Sequence, residues 1–150
     1  RLLIKYSSSV DSIDRSGYST ILYVVDSHDN RAVRILLEAG ADPNPKVPEG
    51  LFRSSPLKAA SFSGRAEIVK LLLHYRAEIN ACNPEGYPAL YIAVITQNID
   101  YTRILLESGA SLEDVAHNGR TPLTLAIIHN SHAILELLVE HVTTAHVEGP

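Results

Sequence analysis

Ile35-Leu36-Leu37-Glu38-Ala39-Gly40-Ala41-Asp42 returns 69 residues later as Ile104-Leu105-Leu106-Glu107-Ser108-Gly109-Ala110-Ser111. Between them stands a third copy, Leu71-Leu72-Leu73-His74-Tyr75-Arg76-Ala77-Glu78. The spacing is two periods of 33 residues with three residues inserted, and self-similarity at that period means stacked supersecondary units rather than one closed globule. Function is therefore to be sought on surfaces before pockets.

Working outward from these copies, four units and a fragment emerge. A partial unit covers residues 1–13. Full units follow at 14–46, at 50–82 after an insertion at 47–49, at 83–115 and at 116–142, with a tail over 143–150. Leu2-Leu3-Ile4 reads as the end of an earlier unit, so the true N-terminus is expected upstream and the segment is expected to be part of a longer protein.

Each unit reads as a loop, a short helix, a tight turn, a second helix and a glycine-ended exit. Ser55-Pro56-Leu57 and Thr121-Pro122-Leu123 are helix starts: the hydroxyl accepts from orphan first-turn amides, and proline at the first helical position loses no hydrogen bond. Ser19-Thr20 keeps the hydroxyl, whereas Pro88 has lost it, which predicts a start weaker by about 1 kcal/mol. Small residues at Ala59-Ala60, Ala93 and Ala126 let neighbouring helices approach, with Val24-Val25 bulkier in the first unit. The second helix carries an apolar stripe at i, i+3 and i+4: Val33, Leu36, Leu37; Val69, Leu72, Leu73; Leu135, Leu138, Val139. Thr102 interrupts it and is expected to weaken packing. Gly40 and Gly109 suit a left-handed helix C-cap, and Arg76 stands at the same place at some cost. The last helix is expected to end near His141.

This pattern resembles the ankyrin repeat family. The resemblance is carried by Gly119-Arg120-Thr121-Pro122-Leu123-Thr124-Leu125-Ala126, by Gly64-Arg65-Ala66-Glu67-Ile68-Val69-Lys70-Leu71-Leu72-Leu73 and by Glu38-Ala39-Gly40-Ala41-Asp42-Pro43-Asn44. It covers nearly the whole chain. The family's usual histidine after Thr-Pro-Leu is replaced by Leu22, Lys58, Tyr91 and Thr124, and the inter-helix glycine survives as Gly64, with His28, Gln97 and Asn130 elsewhere. The resemblance implies an all-α ankyrin repeat solenoid of stacked helix-turn-helix units with β-hairpin-like fingers, forming a single domain over 1–150. It also implies a protein–protein interaction module without catalysis. The competing expectation is an intramolecular regulatory or spacer array that docks on a neighbouring domain of its own chain.

Composition bounds the partners. With 45% hydrophobic and 6% aromatic residues, and no Met or Trp, the core must be aliphatic. A net charge of -4 offers no field to attract a phosphate backbone, which argues against nucleic acid. Apolar runs such as Leu90 to Ile95 are far short of the roughly 18 to 20 residues that span a bilayer. The lone Cys82 cannot form an internal disulfide and suits a reducing compartment, so an intracellular location, cytoplasmic or nuclear, is expected. His129 and His132 lie three apart without a metal-ligating pattern around them. No catalytic residue, cofactor, metal or small-molecule substrate is assigned.

If the ankyrin register holds, the fingers and first helices form one variable face. Its partner-binding positions are Arg15, Tyr18, Asp26, Leu51, Phe52, Phe62, Glu85, Tyr87, Ile95, Arg120 and His129. Exposed aromatics beside arginine are typical interface anchors. Packing of Phe62 and Ile95 on an adjacent repeat is the competing expectation for those two. The insertion at Val47-Pro48-Glu49 lengthens one finger, which Pro43, Pro45 and Pro48 stiffen. The apolar ends of the stack are expected to be covered by further repeats, by the tail or by self-association.

Overall fold

The computed structural model describes the backbone of residues 10–46, 55–82, 86–114 and 118–147, and the side chains of the same residues up to 144. Leu2-Leu3-Ile4, Val47-Pro48-Glu49, Leu51, Phe52 and Glu85, singled out in the sequence, lie outside the described residues.

The chain divides into two compact units, residues 1–78 and 79–150. In the first, α1 (Thr20–Asp26) and α2 (Asn30–Glu38) form one helix pair, and α3 (Pro56–Phe62) and α4 (Ala66–His74) form the next. In the second, α5 (Ala89–Ile95) pairs with α6 (Ile99–Glu107), and α7 (Pro122–Ile128) with α8 (His132–Val147). Within each unit the pairs stack in register, first helix on first helix and second on second: α1 on α3 and α2 on α4, then α5 on α7 and α6 on α8. Regular structure among the described residues is all-α. The finger before α1 carries one antiparallel bridge, Ile13 with Ser19.

The stacking follows from residue size. Ala60, Ala93 and Ala126 are buried at the contact between first helices, where no larger side chain stands between backbones. Val33 and Leu37 of α2, Val69 and Leu72 of α4, and Leu105 and Leu106 of α6 form the aliphatic layer under the second helices. Thr102 is fully buried in that layer, but its hydroxyl donates to the Asn98 carbonyl at 2.9 Å. Its polarity is thus satisfied inside the helix. Val139 departs from the expected stripe and is exposed, because nothing described packs over that side of α8.

Helix starts differ more than the sequence suggests. Thr121 accepts from the Thr124 amide at 3.2 Å, and the Thr124 hydroxyl accepts from the Thr121 amide at 2.9 Å, which completes a reciprocal capping box. Ser19 accepts from the Leu22 amide at 3.4 Å. Ser55 does not cap. The Lys58 amide that a capping hydroxyl would take bonds the Ser55 carbonyl instead, at 2.9 Å, and the Ser55 hydroxyl is buried without a partner. Pro88 makes no side-chain cap, as its ring requires.

At the helix exits Gly40 and Gly109 adopt φ of 91° and 86°, and Arg76 is held at 65° in the same turn. The turn between the two helices of each pair also runs through positive φ, at His28 (61°), Gly64 (64°), Gln97 (54°) and Asn130 (56°). A backbone closed this way returns the second helix antiparallel to the first, and it is held for three non-glycine residues because the stacked helices fix both ends. One exit is missing. Val142 stands where Gly40, Arg76 and Gly109 stand in the earlier copies, and a β-branched side chain resists left-handed backbone. Accordingly α8 does not stop near His141 but continues to Val147.

A side-chain relay aligns the loops. Asp11 accepts from the Asp42 amide at 2.8 Å, Asn44 from the Glu78 amide at 2.8 Å, and Asn80 from the Ser111 amide at 2.9 Å. These are equivalent positions in successive repeats, so each exit loop satisfies one amide of the next. Asn44 also donates to the Arg76 carbonyl at 3.0 Å.

Arg76→Gly should stabilise the chain by about 0.5–1 kcal/mol, because relief of left-handed strain outweighs the entropy glycine adds to the unfolded state. Gly109→Ala should cost about 1 kcal/mol although nothing lies within 4 Å of the added carbon. Urea unfolding checks both. Val142→Gly should restore the missing exit and shorten α8, seen as lost helical dichroism without loss of cooperative unfolding.

Candidate surface for partner binding

Asp26, Phe62 and Ile95, the last residues of α1, α3 and α5, and His129, the residue that follows α7, were expected to face a partner, and all four are exposed. Phe62 is 63% exposed and Ile95 42%, so neither is taken up by packing on a neighbouring repeat. Removing such surface from water is favourable by roughly 25 cal/mol per Å² of apolar area. In the first unit Tyr23 adds another exposed ring on α1. In the second, Ile128 of α7, one period after Ile95 and placed on the same face by register, is exposed, and so is Ile127.

The finger ahead of α1 is built by Asp14. One carboxylate oxygen accepts from the amides of Ser16 and Tyr18 at 2.8 and 2.9 Å, and the other accepts from the Tyr23 hydroxyl. Tyr18 and Tyr23 lie ring to ring with centroids 4.9 Å apart. Asp14 therefore fixes the finger to the helix it precedes and leaves Arg15 exposed at the tip. Tyr18 itself is half-buried, a support of the surface more than an exposed anchor. The hydroxyl bond to Asp14, then desolvation and the nearby negative charge, push the Tyr23 pKa above its ordinary 10.0.

Tyr87 plays the corresponding part in the second unit. It is half-buried and stacks on Tyr91 with centroids 4.6 Å apart. Tyr91 is buried, and its hydroxyl accepts from the Asn118 side-chain amide at 2.7 Å, which ties α5 to the finger that follows. Asn118 also accepts from the Arg120 amide at 3.1 Å, and Arg120 is exposed. The four departures at the histidine position thus have separate roles. Leu22 and Lys58 are buried, Tyr91 reaches the next finger, and Thr124 completes a cap.

Other chemistry is sparse. Cys82 is exposed. Among the described residues no group of three His, Cys, Asp or Glu side chains is placed to hold a metal, and no helix is long and apolar enough to cross a membrane. A groove of about 190 Å³ runs between α6 and α8, with Arg103, Glu107, Glu140 and His141 on its walls.

Comparison with known proteins gives the class. The pattern described as ankyrin repeats (3 copies) matches residues 53–148. A putative ankyrin repeat protein of Fowlpox virus is 30% identical over 140 residues, 93% of this chain and 96% of that protein. The chain belongs to the ankyrin repeat family, and its fold class is the all-α ankyrin repeat solenoid. It is also similar to the E3 ubiquitin-protein ligase KEG of Arabidopsis thaliana, 27% identical over 89% of this chain but 8% of the plant protein. A putative ankyrin repeat protein of Borreliella burgdorferi is 27% identical over 86% of this chain and 57% of its own length. The chain thus spans less than two thirds of these last two relatives. Ankyrin repeats generally mediate protein–protein interaction and are generally not catalytic.

Asp14→Asn should bring the Tyr23 titration back toward its ordinary value, followed by NMR of ring-labelled tyrosine. The raised pKa means that the Tyr23–Asp14 bond contributes stability below pH 10, lost as pH rises through the raised value.

Proposed function

We propose that the chain is a protein–protein interaction module that binds its partner through finger and first-helix residues, with Arg15, Asp26 and Phe62 presented by the first unit and Ile95, Arg120 and His129 by the second. The observation that carries this reading is the exposure of Phe62 and Ile95 on short helices whose other large side chains are buried. Nothing in the folding of either unit requires apolar side chains there. Tyr18 and Tyr87 serve the same surface from beneath, each braced against a second tyrosine. Because the bracing precedes binding, little rotamer entropy is lost on association.

Leu51, Phe52 and Glu85 belong to the same proposed face by register. The partner is taken to be a folded protein or an ordered segment with apolar side chains to meet Phe62 or Ile95, and charge to meet Arg15 or Arg120.

Phe62→Ala with Ile95→Ala should abolish affinity capture of the partners retained by the unaltered chain, with the melting temperature changed by no more than about 1 °C. Undiminished capture would remove these residues from the binding face. A drop of several degrees would show that they are packed.

A further inference from the structure

Asn118-Gly119 is the one Asn-Gly pair in the chain, and it stands exposed in the finger ahead of α7. Gly119 adopts φ of 73°, with nothing within 4 Å of the place a Cβ would take, so no side chain hinders its nitrogen from approaching the Asn118 side chain. The Gly119 amide makes no hydrogen bond with the described residues, so no such bond has to break before it loses its proton. The other asparagines differ at this point. Asn44 and Asn83 precede proline, whose nitrogen carries no hydrogen, and Asn80 and Asn98 precede alanine and isoleucine. The amides that follow Asn30 and Asn130 are already donated, to Asp29 Oδ1 and to the Ala126 carbonyl, each at 2.9 Å.

Both hydrogen bonds of the Asn118 side chain favour attack on it. Its Oδ1 accepts from the Arg120 amide at 3.1 Å, a donor placed where negative charge gathers when a nucleophile adds to the carbonyl. Its Nδ2 donates to the Tyr91 hydroxyl at 2.7 Å. Addition to the carbonyl ends the amide resonance and gives that nitrogen a lone pair, toward which the hydroxyl can turn its proton. An amine leaves far more readily with a proton than without one. Tyr91 is buried and stacked on Tyr87, so its hydroxyl is in place before any reaction.

We propose that Asn118 is a self-modification site, at which the folded chain converts its own asparagine through a cyclic imide to aspartate and isoaspartate. The Gly119 nitrogen gives its proton to solvent base and bonds to Asn118 Cγ. The Cγ–Nδ2 bond breaks, and ammonia leaves with the proton of Tyr91, which solvent restores. Water then adds to either imide carbonyl and opens the ring. One water is taken up and one ammonia released, with no change of oxidation state. Opening to aspartate keeps the tie to Tyr91 with the hydroxyl now donating, as Tyr23 donates to Asp14 in the first unit. Opening to isoaspartate lengthens the main chain by one carbon and shortens the side chain by one, which ends the tie and moves Arg120. Arg120 belongs to the surface proposed for partner binding, but the chemistry at Asn118 does not depend on that reading.

The test is to hold the whole chain at mildly alkaline pH, folded and in guanidinium chloride, and to follow each asparagine by peptide mass mapping, with isoaspartate scored by enzymatic methylation. Conversion should be fastest at Asn118, and at least about tenfold faster there in the folded chain than in the unfolded one. Tyr91→Phe, at unchanged helical dichroism, should slow the folded conversion by about tenfold or more and leave the unfolded rate unaltered. A folded rate equal to or below the unfolded one would show that the two hydrogen bonds restrain the side chain instead of activating it, and would overturn the proposal. So would a folded Tyr91→Phe chain that converts as fast as the unaltered one. If Tyr91→Phe does not fold, the folded-to-unfolded ratio of the unaltered chain decides. Neither readout involves a partner, so loss of the partner-binding reading would leave this result standing.

Discussion

A helix pair of seven and nine residues cannot bury its own apolar stripe, and every other feature of this chain depends on that constraint. Isolated helices shorter than about 12–15 residues are marginal in water, so these helices persist because within each unit the two pairs cover each other's faces. Stacking demands two things of the sequence. Alanine must stand where first helices touch, as at Ala60, Ala93 and Ala126, and an aliphatic layer must run under the second helices. Both recur with the period, and between recurrences the chain is free to vary.

The hydrogen bonds that run between repeats have the same logic. Asp11, Asn44 and Asn80 each accept a backbone amide from the exit loop of the next repeat. Loop amides that would otherwise depend on water are held in register, and the fingers beyond them inherit a fixed position. Within that frame the histidine position of the family is a place of diversification. Tyr91 uses it to reach Asn118 of the next finger, whereas Thr124 turns inward to cap its own helix. The positions proposed for binding differ in kind from these. Phe62 and Ile95 contribute exposed apolar surface that the stack does not need.

Much of this was legible in the linear pattern, because a repeat displays its constraints several times over. The helices, the left-handed exits at Gly40 and Gly109 and the buried alanines follow from spacing and residue size. Less legible was anything decided by a single hydroxyl or by coverage. Ser55 and Thr121 precede proline alike, yet one caps and the other is buried unbonded, because the Ser55 carbonyl takes the amide its hydroxyl would have used. Val139 keeps the apolar periodicity and is exposed, since periodicity records which side of a helix is apolar and not whether a neighbour lies over it.

By itself, then, the sequence determined that this chain is a set of stacked helix pairs, since a 33-residue period of apolar stripe, small residue and turn is satisfied by that packing and by little else. Only the tertiary structure decided which apolar residues are surface. Ile95 and Val94 are neighbours in sequence and both aliphatic, yet one is exposed and the other buried. Register offered Ile95 to the open face or to packing on an adjacent repeat, and the direction each side chain takes from the packed helix chose between them.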